Sequence, residues 1–175
     1  MHKPSLAALW KSFPDHDQYP TLKDLYEHLG GTAEKNIYSP GFGPNGNGCA
    51  SRMSVALNAS GAPINGALVP KDRSVGTADG KRIIFGVATL RDYFLKVFGK
   101  PLIDNARPFD DAFKGKRGII AFSVNWNDAT GHIALYNGST YREPAHDSYG
   151  SLLIPRTATT REVATYRGEF WEMNP

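Results

Sequence analysis

Cys49 follows a stretch rich in glycine, proline and asparagine, Ser39-Pro40-Gly41-Phe42-Gly43-Pro44-Asn45-Gly46-Asn47-Gly48, and opens a segment with helical periodicity. A sulfur at a helix start has two physical advantages. The unpaired N–H groups and the helix dipole favour a thiolate there. The same N–H groups can hold the oxyanion formed when that thiolate attacks a carbonyl. On this reading Gly48 keeps the approach to the sulfur open. A lone cysteine is commonly just a packed, inert thiol, but a position directly after such a loop argues against burial in mid-helix.

A thiol nucleophile needs a base, and the base needs a group to orient it. The histidines are at positions 2, 16, 28, 132 and 146. His2 and His16 lie near the N-terminus, His28 on an amphipathic helix, and His146 in the polar segment Glu143-Pro144-Ala145-His146-Asp147. His132, preceded by Gly131, begins a strand and is the candidate base. Asn137-Gly138 is a hairpin signal. With Gly138 and Ser139 at the turn, Ala134 faces Glu143, and His132, Ala134 and Glu143 share one face of the sheet. Glu143 is therefore the expected orienting acid. Asp147 is the alternative, with the same parity but beyond Pro144, and Asp128 precedes His132 in a turn. The expected catalytic set is Cys49, His132 and Glu143, with Asp147 as second choice for the acid.

These side chains need elements to carry them. Leu6, Leu9, Trp10 and Phe13 predict a short helix over 5–13, ended by Pro14. Pro20-Thr21 opens a second, with Leu22, Leu25, Tyr26 and Leu29 on one face, Thr21 and Asp24 as a capping box, and Gly30-Gly31 as the stop. The cysteine helix runs from 48 or 49 to 60, with Asn47 as its N-cap and Ala50, Met53 and Leu57 inward. Residues 62–82 read as a polar excursion, and Thr89 to Phe98 as a further helix. The period then changes: strands are expected over 118–126, 132–137, 140–143 and 164–173. Helices first and an antiparallel sheet after make an α+β fold, a single domain over 1–175 with the nucleophile helix packed on the sheet.

The chain's 175 residues, 41% hydrophobic and 21% charged, have enough apolar content for a core, which excludes a disordered chain. No apolar run is long enough for a membrane-spanning helix, and the N-terminus carries no secretory signal pattern. The charge of +3, from 20 Lys+Arg against 17 Asp+Glu, is mild. No basic run of the kind that tracks a phosphate backbone is present, Lys114-Gly115-Lys116-Arg117 being the nearest, so neither nucleic acid nor membrane is an expected partner. One cysteine excludes an intrachain disulfide and a cysteine-rich zinc site.

The stretch Asn47-Gly48-Cys49-Ala50-Ser51-Arg52-Met53-Ser54-Val55-Ala56-Leu57-Asn58-Ala59-Ser60-Gly61 resembles the nucleophile segment of the fourth family of type VI secretion amidase effectors, whose pattern is Asn-x-Cys-Ala-x-Arg-(apolar)-Ser-x-x-Leu-Asn-x-x-Gly. Gly131-His132-Ile133-Ala134-Leu135-Tyr136-Asn137-Gly138 is similar to that family's Gly-His-x-x-Leu-Trp-(Asp/Asn)-Gly. Tyr19-Pro20, Leu25-Tyr26 and Leu29-Gly30-Gly31 fit its opening helix, and Phe170-Trp171-Glu172 its last strand. The resemblance implies a papain-like peptidoglycan amidase, injected from one bacterium into another, that cleaves the amide between D-glutamate and meso-diaminopimelate. It implies Cys49 as nucleophile, His132 as base and an Asp about eleven residues later, where this chain has Glu143. It implies no metal or cofactor. The partners it implies are a peptidoglycan stem peptide, the type VI secretion apparatus and a cognate immunity protein. The implied location is the cytoplasm of the producer and then the periplasm of a recipient cell. Arg52 is a candidate contact for substrate carboxylates or a structural arginine on the helix surface. Two other functions fit part of the pattern: another papain-like cysteine amide hydrolase or acyltransferase, and a non-catalytic basic binding module with Cys49 merely packed.

Overall fold

Helix α1 (Leu6–Ser12) is capped by Ser5, whose side chain accepts a hydrogen bond from the Ala8 N–H. Thr21 and Asp24 form the expected capping box at the head of α2 (Leu22–Leu29), and Gly30, at φ 61°, ends it. These observations come from a computed structural model that describes residues 2–39, 47–127 and 129–175. Residues 40–46, most of the glycine-proline stretch, and Asp128 lie outside the described residues. A short helix α3 (Gly31–Lys35) follows, then α4 (Cys49–Ala59) and α5 (Val87–Phe98). Between α4 and α5 the chain pairs with itself as β1 (Ser74–Gly76) and β2 (Arg82–Ile84). This hairpin interrupts what the sequence presents as an unstructured excursion. Ile83 and Ile84, both fully buried, are its anchors.

The main sheet is antiparallel, in the order β3 (Leu102–Asp104), β7 (Val163–Glu172), β4 (Gly118–Val124), β5 (Gly131–Tyr136), with the two-residue β6 (Leu153–Ile154) paired to the start of β7. β3 and β6 are too short and too exposed to leave a hydrophobic alternation in the sequence. β4 is buried along its whole length, because both sheet faces are covered. Its alternate residues enter two different cores. Ile119 and Ala121 meet Leu9, Ala50, Met53, Leu57, Leu90, Phe94 and Trp171 on the helical side. Ile120 and Phe122 meet Phe109, Phe113, Tyr141 and Phe170 on the other. β5 divides the same way: Ile133 and Leu135 face the helices, Ala134 and Tyr136 face away. Each fully buried Leu, Ile or Phe contributes about 1.5–3 kcal/mol, so these two layers fix where α4 and β5 meet. Among the described residues no helix is long and apolar enough to cross a membrane.

Candidate active site

Cys49 is the first residue of α4. Its N–H donates to Asn47 Oδ1 at 3.1 Å, and Asn47 Nδ2 donates to the Gly131 carbonyl at 3.2 Å. Gly48 occupies the backbone cap position, while Asn47, one residue earlier, supplies the capping oxygen. One amide side chain thus joins the start of α4 to the start of β5, next to His132. Gly48 has a packing role: a Cβ there would sit 2.9 Å from Leu22 Cδ1. Its lack of a side chain therefore admits α2, and Gly48 also lines the cavity beside Cys49.

His132 pairs across the sheet with Phe122. A Cβ on the preceding Gly131 would lie 2.0 Å from the Phe122 carbonyl oxygen, so a glycine is what lets β5 begin this close to β4. The imidazole is 6% exposed. Its Nε2 donates to Asp147 Oδ1 at 2.7 Å, and Cys49 lines the same cavity as the ring. The Tyr149 ring stands 4.6 Å from it, centroid to centroid. Burial works against an imidazolium here, but negative charge on the Cys49 sulfur and the Asp147 carboxylate outweigh it and push the His132 pKa up to about 9.

The expected hairpin forms at its turn, where the Asn137 N–H donates to the Thr140 carbonyl at 3.1 Å. The returning arm then pairs at Tyr141, opposite Tyr136, and goes no further as a strand. Proline has no N–H for a ladder and favours the first turn of a helix. Pro144 accordingly opens a one-turn helix, α6 (Pro144–Asp147), in place of more strand. That turn carries Asp147 back to His132. Glu143, the preferred acid on strand parity, is not on the His132 ring. Its Oε1 accepts from the His16 N–H and from His16 Nδ1, both at 2.8 Å. Its own N–H donates to Asp147 Oδ2 at 3.1 Å. The structure therefore brings together Cys49, His132 and Asp147, and sets Glu143 one step behind Asp147.

Arg52 is not on the helix surface, and among the described residues it forms no ion pair. It is 3% exposed, and its guanidinium donates to the carbonyls of Pro14 at 2.6 Å, Asp15 at 3.0 Å and Tyr19 at 2.7 Å. It fastens residues 14–19 to α4, three residues from Cys49. Arg142 reinforces the same segment through Asp15 Oδ2 at 2.7 Å. This fastening places His16 on the site, where its ring stacks on His146 with centroids 3.8 Å apart. Local sequence carries no sign of that placement, since the bonds that make it run from residues 14–19 to residues 52, 142 and 143. A cavity of about 160 Å³ is lined by His16, Cys49, Arg52, His132, Glu143, His146, Asp147 and Tyr149, among others. His16, Glu143 and His146 bring one ligand atom each within 4.8 Å of one another.

A helix that begins with Cys49 and packs on an antiparallel sheet, with a buried pair of a β5 histidine and an α6 aspartate beside the helix start, defines a papain-like α+β fold. The chain belongs to the family described as type VI secretion system amidase effector protein 4, whose model matches residues 45–168. It is similar to the effector Tae4 of Salmonella typhimurium, solved in complex with the immunity protein Tai4 of Enterobacter cloacae. Identity there is 30% and the TM-score 0.74, over 99% of this chain and 100% of the other. It is also similar to the Enterobacter cloacae Tae4 of a Tae4–Tai4 complex, at 28% identity and TM-score 0.75, over 98% and 99% of the two chains. Against Enterobacter cloacae Tae4 without a partner the values are 28% and 0.72, over 99% and 100%. Among curated proteins, none matches this sequence.

Proposed function

We propose that the chain is an antibacterial peptidoglycan amidase that hydrolyses the amide between the γ-carboxyl of D-glutamate and meso-diaminopimelate. In this reading Cys49 is the nucleophile, His132 the acid–base and Asp147 the group that orients His132. The observation that carries it is the buried 2.7 Å bond from His132 to Asp147 on the cavity that Cys49 also lines. With Nε2 committed to Asp147, Nδ1 is the atom left for the sulfur. His132 takes the proton of the Cys49 thiol, the thiolate attacks the γ-carbonyl, and N–H groups at the head of α4 steady the oxyanion. His132 gives its proton to the leaving diaminopimelate amine. Water, deprotonated by His132, then hydrolyses the thioester and releases the D-glutamate carboxylate. Asp147 keeps the ring in one orientation throughout, and Glu143 holds Asp147 through its backbone N–H.

Family membership supports delivery by the type VI apparatus into a recipient's periplasm. The Tai4 complexes of the two relatives support a cognate immunity protein for this chain. The test is incubation with diaminopimelate-type peptidoglycan followed by mass spectrometry of the muropeptides. New diaminopimelate amines and stems truncated after D-glutamate are expected, and both should vanish in Cys49→Ala. Products cut only in the glycan strand, or at another peptide bond, would overturn the assignment.

A further inference from the structure

His16, Glu143 and His146 sit on the cavity that also holds Cys49, yet the proposed chemistry uses none of them to make or break a bond. Two imidazoles and a carboxylate are the donor set of borderline divalent metals, zinc, cobalt and nickel above all. Two of the three, His16 and Glu143, are held in place by hydrogen bonds. The backbone of His16 is fastened by its neighbours' carbonyls to Arg52, and its N–H is bound to Glu143 Oε1. Glu143 is 9% exposed, and its own N–H is bound to Asp147. His146, on the one-turn helix α6, is stacked on His16 with the rings 13° from parallel. The ligand atoms already lie within 4.8 Å of one another. Closing them onto bonds of about 2.0–2.2 Å asks the exposed His146 to turn out of its parallel stack on His16, and asks His16 either to ligate through Nε2 or to exchange the Nδ1 bond to Glu143 Oε1 for the metal.

We propose that His16, Glu143 and His146 form a binding site for a divalent transition-metal ion of the zinc class at the rim of the cleft. Three protein ligands leave at least one coordination position for water or another small donor. The ion would share the cavity with the Cys49 sulfur but would not need it as a ligand. The site stands on the cluster's geometry and does not depend on the amidase reading.

Cobalt(II) titration of the untagged chain in the Cys49→Ala background tests this without any activity measurement. Visible d–d absorption at a stoichiometry of one, displaced by zinc, is the expected result. His146→Ala should weaken binding at least about tenfold, because one of three ligands is lost, and His16→Ala should do the same. His28→Ala, exposed and not one of the three proposed ligands, should bind as the parent does. Circular dichroism shows that each variant is folded; if His16→Ala is not, His146→Ala and His146→Gln still decide the question. No cobalt absorption in the Cys49→Ala chain would overturn the site, and so would binding that survives His146→Ala or is lost in His28→Ala.

Discussion

Two histidine–carboxylate pairs stand in one cavity with nearly equal bond lengths, His132–Asp147 at 2.7 Å and His16–Glu143 at 2.8 Å. Their surroundings separate them. In the first pair the side chains are 8% and 4% exposed, while the His16 side chain is 34% exposed. The first histidine comes from a buried strand and faces a sulfur. The second comes from a segment without regular structure and faces another imidazole. Distance alone would make either pair a candidate acid–base. Burial, the element that carries the ring and the neighbouring Cys49 sulfur favour His132 for the proposed role.

Breaking the first pair should therefore cost much more than breaking the second. Cys49→Ala should lower peptidoglycan hydrolysis by at least about 10⁴-fold, and His132→Ala nearly as much, since residues acting as a unit each remove most of the rate. Thermal unfolding should show both variants folded. Asp147→Asn should lower kcat about 10²-fold with little change in KM, because the ring loses its orienting charge. Glu143→Gln should cost less than about tenfold, since its backbone N–H still holds Asp147. Initial rates on one batch of peptidoglycan rank the two, and a greater loss in Glu143→Gln would return the orienting role to that residue.

Arg52→Ala tests how the two pairs are joined. It leaves three buried carbonyls without their donor and should destabilise the chain by roughly 2–4 kcal/mol, read by urea unfolding. Arg52→Lys should recover part of this, as a single ammonium cannot span three acceptors in fork geometry.

The pH dependence sharpens the comparison further. His132 is raised from the ordinary 6.5 to about 9, against burial, by Cys49 and Asp147. A group with a raised folded pKa stabilises the fold fully below its unfolded value and loses that contribution as pH climbs through its folded value. Stability from His132 is thus complete below about pH 6.5 and gone above about pH 9. Unfolding free energies across that window should fall with rising pH. Activity carried by the protonated ring should also fall on an alkaline limb near pH 9. In Asp147→Asn that limb should move to lower pH, because one source of the raised value is removed.

The first pair was half legible in the sequence. Cys49 at a helix start, the Thr21–Asp24 capping box, β4, β5 and the Asn137-Gly138 turn are local signals, and the structure has them all. Asp147 rather than Glu143 meets the His132 ring for a local reason. Parity along a hairpin arm holds only while the arm remains a strand, and Pro144 ends the arm and starts a helix turn that swings Asp147 onto His132. The second pair was not legible at all. His16 is brought to the site by Arg52, Arg142 and Glu143, residues far away in sequence. Arg52 itself is buried by that same segment, which helix periodicity alone does not reveal. The β1–β2 hairpin leaves no periodic signal in the sequence because its strands have three residues each.

The central claim is that the Cys49 sulfur is activated by the His132 ring at the start of α4, and the alkylation rate of Cys49 tests it most directly. Iodoacetamide at neutral pH should modify Cys49 of the folded wild-type chain much faster than it modifies free glutathione, and this advantage should disappear in His132→Ala. A wild-type rate no greater than that of glutathione, or one unchanged by His132→Ala, would contradict it.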